Sequence, residues 1–179
     1  MGRGRWERPR LTHPAEFGGD PKDAFDVVVP SLPGFGFSTP LKQTGVGFIR
    51  TADLWVRLME GLGYSRFGAQ GSDAGAFVSS QLGHKYPERV LGLHLTFPMP
   101  LDANTNPRAI PPPDAYAPGE QEALARTLRF LMEGTGYVGL QSTRPQTLAY
   151  AMHDSPAGMC AWFLEKRRAW SDCDGDVEK

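Results

Sequence analysis

The chain has 179 residues, a formal net charge of −1 at pH 7, and 40% hydrophobic and 22% charged residues, which suits one globular core of modest size. Near-neutral charge excludes the basic surface that a phosphate backbone requires, so nucleic acid is not expected as a partner. No long uninterrupted apolar run occurs, so no membrane span is expected.

Residues 1–10 carry Arg3, Arg5, Arg8 and Arg10 with almost nothing apolar after them, which is not the pattern of a secretory signal. Trp6 stands where a myristoylation motif needs Ser or Thr. Cys160 and Cys173 have neither zinc-site nor disulfide-framework spacing, so no metal is expected and the default location is reducing and cytoplasmic. Asp172, Asp174, Asp176 and Glu178 make the other end acidic. The two charged ends read as solvated tails, or as cuts from a longer gene; the second reading is the expectation taken forward.

The leading segment, residues 1–24, is expected to be irregular. Phe25–Val29 is an apolar, β-branched run ended by Pro30 and predicts a buried strand. The loop Ser31–Ser38 follows. Phe48, Ala52, Trp55, Leu58, Met59 and Leu62 recur at three- and four-residue steps and predict an amphipathic helix, ended by Gly61 and Gly63. A strand over Arg66–Gln70, a helix over Ala74–Tyr86 stopped by Pro87, and a strand over Val90–Thr96 complete a βαβαβ pattern. Residues 25–97 are therefore expected to form an α/β core with a parallel sheet of three visible strands.

Residues 98–118 hold seven prolines and read as a connector. Residues 119–179 then show three helical patterns. Leu124, Leu128 and Leu131 line one face of Gly119–Glu133. Thr143 is placed to cap a helix running to about His153, and Ser155 to cap another through Trp162 and Phe163 to Trp170.

Gly71-Ser72-Asp73-Ala74-Gly75 falls between an expected strand and an expected helix, in the shape of a G-x-S-x-G nucleophile elbow with Asp in place of Ser. Glycines two residues either side of the nucleophile would remove side chains that clash in so sharp a turn. The helix N-terminus favours a negative group at Asp73, and the Ala74 N–H would face a forming oxyanion. A carboxylate attacks without first losing a proton, and it suits displacement at a saturated carbon. The other reading of Asp73 is an ordinary cap at a strand-to-helix turn, and from these residues alone both stand.

The stretches Phe25–Ser38, Leu58–Gly75, Gln141–Thr147 and Asp154–Trp170 resemble microsomal-type epoxide hydrolases and their bacterial relatives, in order and over nearly the whole chain. The resemblance implies a partial α/β-hydrolase core followed by a partial helical lid. It implies an enzyme that opens epoxides to vicinal diols, with a small-molecule epoxide as its partner and neither metal nor organic cofactor. By position, Asp73 matches the nucleophile of the ester intermediate and Ala74 the oxyanion-hole N–H. Tyr137 matches a lid tyrosine that donates to the epoxide oxygen. Phe35 and Phe37 are implied to wall the substrate pocket.

The chain departs from that pattern as well. Residues 1–24 lack the family's HG-x-P motif, and a second lid tyrosine, a late acid and the catalytic histidine would fall beyond residue 179. His13, His84, His94 and His153 read as structural. The expectation is a fragment with little or no turnover, prone to self-association through unpaired sheet edges. Two alternatives remain: a haloalkane dehalogenase-like hydrolase, weakened because Ala74 stands where an indole N–H would hold halide, and a binding or assembly module that kept only the fold.

Overall fold

A computed structural model describes residues 9–97, 112, 114 and 116–178. The arginine-rich leading residues 1–8 and most of the Pro-rich connector lie outside that range. The chain divides into two compact units, Met1–Thr105 and Asn106–Lys179.

In the first unit, α1 spans Phe48–Gly61, β1 Phe67–Gly71, α2 Ala74–Lys85 and β2 Val90–Leu95. The strands pair in parallel, with Gly68 opposite Gly92 and Gly71 opposite Leu95, and α2 is the crossover between them. The apolar stripe of α1 does what its spacing predicts: Ala52 and Val56 are buried with Phe67 of β1 and with Val78 and Leu82 of α2. Leu32, Phe48, Trp55, Met59, Ala69, Tyr86 and Val90 pack around that cluster. Covering five such side chains is the main stabilising contribution to this unit, at about 1.5–3 kcal/mol for each large apolar side chain fully buried.

The first expected strand is corrected. Phe25–Val29 has no regular secondary structure and joins no ladder, and the sheet described has two strands, not three. Strand propensity reports fit to a pleated, half-buried surface, and a strand exists only where a neighbour satisfies its backbone groups. Here the Phe25 N–H donates to the Leu11 carbonyl at 2.8 Å, and Asp26 accepts from the Tyr64 hydroxyl at 2.6 Å.

The second unit is helical. It contains α3, Gln121–Arg129, running into a π turn at Phe130–Gly134; α4, Gly136–Thr143; α5, Pro145–Asp154; and α6, Pro156–Trp170. Leu124, Leu128 and Leu131 are half-buried on one face of α3 and its π turn, as their spacing requires. Ser155 caps α6 by accepting from the Gly158 N–H at 3.0 Å. Thr143 caps nothing: it is the last residue of α4, and its hydroxyl donates back to the Gly139 carbonyl. Arg144 takes the N-cap position of α5 instead. The α4 helix was not legible, because Gly136 and Gly139 lower its helix propensity and its apolar residues keep no clear period. Phe163, Leu164 and Trp170 of α6 are left exposed.

Candidate active site

Asp73 joins β1 to α2. The Gly75 N–H donates to the Ser72 carbonyl at 2.9 Å, closing a four-residue turn across Asp73 and Ala74. Asp73 has φ 51° and ψ −126°, the first central position of a type II′ turn, which normally demands glycine. A side chain held there costs about 1–3 kcal/mol, a cost the surrounding packing must offset. Its carbonyl starts the helix by accepting from the Ala76 N–H at 2.9 Å. Its carboxylate makes no capping bond, so the side chain is exposed and uncommitted to helix start. An N-cap aspartate should bond the N2 or N3 amide, and this one does not.

The two motif glycines differ. A Cβ on Gly71 would lie 2.1 Å from the Gly75 carbonyl oxygen, so this position admits no side chain. A Cβ on Gly75 would meet nothing within 4 Å, so the clearance expected of the second glycine is not what that residue provides. Ala74 opens α2, where N–H groups have no intrahelical acceptor and point toward the turn. The Thr96 N–H donates to the Gly71 carbonyl at 3.2 Å, which ties the end of β2 to the elbow.

Phe77, one helical turn beyond Asp73, stacks on Phe48 with centroids 4.9 Å apart and meets Phe97 edge-on at 6.2 Å. This trio places apolar surface at the carboxyl end of the strands, where open α/β sheets bind their ligands. Sequence reasoning missed it. The available signal was Phe77 at four residues from Asp73 and Phe97 directly after the last strand. Phe35 and Phe37 sit on the Ser31–Ser38 loop, held by a Phe35 N–H to Leu32 carbonyl bond of 2.9 Å, with both rings exposed to solvent.

Tyr137 belongs to the second unit, in the first turn of α4, so it is described apart from Asp73. Its ring lies edge-on to Trp170 at 5.4 Å, and the Lys166 ammonium sits 5.1 Å from its centroid. A cavity of about 630 Å³ in the same unit is lined by Leu164, Glu165, Arg168, Ala169, Gly175 and Val177. None of the residues picked out from the sequence lines it.

Among the described residues no cluster of three His, Cys, Asp or Glu side chains could hold a metal ion. None of the four histidines pairs with a carboxylate among the described residues; His13 shares a 2.8 Å hydrogen bond with Thr12. Lys85 donates to Asp53 and holds its carboxyl below the usual range, burial opposes this, and the Tyr86 hydroxyl adds to it from 2.8 Å.

The Asp73 turn joins a parallel strand to a helix at the carboxyl end of that strand, which is where the nucleophile elbow stands in the α/β-hydrolase class of folds. The chain belongs to the alpha/beta hydrolase fold family, whose model matches residues 16–137. The relatives it matches include proteins named as epoxide hydrolases. It is 46% identical over 170 residues to a protein of Stigmatella aurantiaca (strain DW4/3-1) whose name places it among them, covering 95% of this chain and 37% of that protein. It is 33% identical to epoxide hydrolase 1 of Oryctolagus cuniculus, covering 96% of this chain and 41% of that one. Its fold is similar to the crystal structure of juvenile hormone epoxide hydrolase from the silkworm Bombyx mori, with a TM-score of 0.67, 29% identity, and 95% and 42% of the two chains covered. The Aspergillus niger epoxide hydrolase structure matches with a TM-score of 0.66 at 29% identity, covering 92% of this chain and 42% of that one. The chain thus spans roughly two fifths of the length of the relatives it matches.

Proposed function

We propose that this chain carries the nucleophile half of an epoxide hydrolase site, with Asp73 as nucleophile and Tyr137 as proton donor. The observation that carries the reading is the backbone of Asp73: strain in a non-glycine residue, on a carboxylate that caps nothing, is kept where it serves chemistry. A carboxylate oxygen of Asp73 bonds to an epoxide carbon, the bond from that carbon to the ring oxygen breaks, and its electron pair goes to the oxygen. Tyr137 donates its phenolic proton there, leaving an Asp73 hydroxyalkyl ester and a phenolate. Attack of water on the ester carbonyl then releases the diol, with the Ala74 N–H directed at the oxyanion that forms. Phe77 and Phe97 beside the elbow suit an apolar substituent on the epoxide, and the exposed rings of Phe35 and Phe37 are the further pocket walls in this reading.

Cleaving the ester needs a base to activate water, and no histidine–carboxylate pair occurs among the described residues. Within these 179 residues ester formation is therefore expected to outrun ester cleavage. The purified chain, incubated with styrene oxide and mapped by peptide mass spectrometry, should carry a hydroxyalkyl adduct on Asp73 that is absent from Asp73→Ala. A folded chain with no adduct sinks the proposal. Rapid diol production without adduct build-up sinks the part concerning slow cleavage.

A further inference from the structure

Trp162, Lys166 and Trp170 are spaced four residues apart on α6, so they stack on one face in consecutive turns. Tyr137 of α4 closes against that face. The Lys166 ammonium lies 5.1 Å from the Tyr137 centroid, 5.5 Å from that of Trp162 and 6.0 Å from that of Trp170. All three distances are within the reach of a cation–π attraction. The Lys166 side chain is only 18% exposed, whereas that of its carboxylate partner, Glu165, is 60% exposed. A lysine is seldom covered this far. Here three π faces take the place of much of its water, and its carboxylate partner Glu165 is open to solvent screening.

We infer that Lys166 is a positioning residue that acts through Tyr137: its ammonium, clamped by Trp162 and Trp170, stabilises the phenolate that Tyr137 becomes on giving up its proton. This rests on the proton-donor reading above. In the ring-opening step the negative charge leaves the Asp73 carboxylate, passes to the epoxide oxygen and ends on the Tyr137 phenolate. A fixed positive charge against the phenol ring lowers the cost of that last transfer. Other charged groups on the elements that pack against α4 are Glu133 of the π turn, His153 and Asp154 of α5, and Glu165, Arg167 and Arg168 of α6. Glu165 opposes Lys166, so the two make opposite predictions.

The test is a tyrosinate absorbance titration of the 179-residue chain and its Lys166→Met, Lys166→Arg and Glu165→Gln variants. Each is paired with a Tyr137→Phe counterpart, so that the difference reports Tyr137 alone. Lys166→Met should raise the Tyr137 midpoint by about half to one and a half pH units, the range a cation on an aromatic face can produce. Lys166→Arg should restore it, and Glu165→Gln should lower it. An unmoved midpoint in Lys166→Met with wild-type circular dichroism overturns the inference. If Lys166→Met loses its helical signal, Glu165→Gln decides: a lowered midpoint upholds the coupling, and an unmoved or raised one overturns it. In parallel, styrene oxide should alkylate Asp73 about tenfold more slowly in Lys166→Met at saturating epoxide. If the variants show the midpoint shifts but the wild-type chain forms no Asp73 ester, the proposed function fails and the Lys166–Tyr137 coupling stands.

Discussion

Gly71, the last residue of β1, passes so close to Gly75 that a Cβ on Gly71 would lie 2.1 Å from the Gly75 carbonyl oxygen. The obstacle is backbone at the first turn of α2, which cannot swing aside as a flexible side chain would. Gly71→Ala is therefore expected to destabilise the chain by about 1–3 kcal/mol, the usual cost of overpacking, or more. Gly75→Ala meets open space inside a helix and should stabilise by about 0.5–1 kcal/mol. Urea unfolding of both variants checks the contrast, and equal effects would contradict the elbow geometry described.

The strain at Asp73 predicts a trade of stability against chemistry. Asp73→Gly removes the side chain from a φ of 51° that glycine adopts freely. It should raise the unfolding free energy by about 1 kcal/mol. The same variant should form no adduct with styrene oxide. Asp73→Asn, which keeps the bulk, should form none and gain less stability.

The link between α1 and α2 at Asp53 gives a pH dependence with a definite sign. Lys85, by hydrogen bonding, holds the Asp53 carboxyl below its ordinary value of 3.8. A group whose folded pKa is depressed stabilises the fold above its unfolded pKa, and that contribution disappears as pH falls through the folded value. Asp53→Asn should therefore cost about 0.2–1 kcal/mol at neutral pH, as expected of a partly exposed pair. The difference from wild type should shrink as pH falls below 3.8 and vanish once Asp53 is protonated in the folded chain as well. Thermal melts across that range measure it, and a difference that persists in acid would contradict the assignment.

Among the described residues, β1 and β2 pair only with each other, and Leu91 on β2 is 61% exposed. Unpaired backbone beside an exposed apolar side chain is a template for another strand. Sedimentation should show concentration-dependent association of this chain, weakened in Leu91→Lys. A monomer at every concentration tested would remove the prediction.

Residue periodicity carried much of this fold. The stripe from Phe48 to Met59, the Ser155 cap ahead of Pro156 and Gly71 before Asp73 are local patterns that can be read along the chain. What chain-local patterns cannot supply is partnership. Phe25–Val29 has the composition of a strand, but a strand needs a second backbone to bond, and here its amide at Phe25 bonds Leu11 instead. The Phe48, Phe77 and Phe97 trio joins three elements far apart in sequence, and only their packing brings those rings together. The W-x-x-x-K-x-x-x-W spacing of α6 was written in the sequence, whereas the ring of Tyr137 across from it was not. By itself, then, the sequence determined the Asp73 strand-to-helix turn and the apolar faces of its most periodic helices. Tertiary structure alone decided which charges and rings face one another, because burial and pairing are settled between elements and not along them.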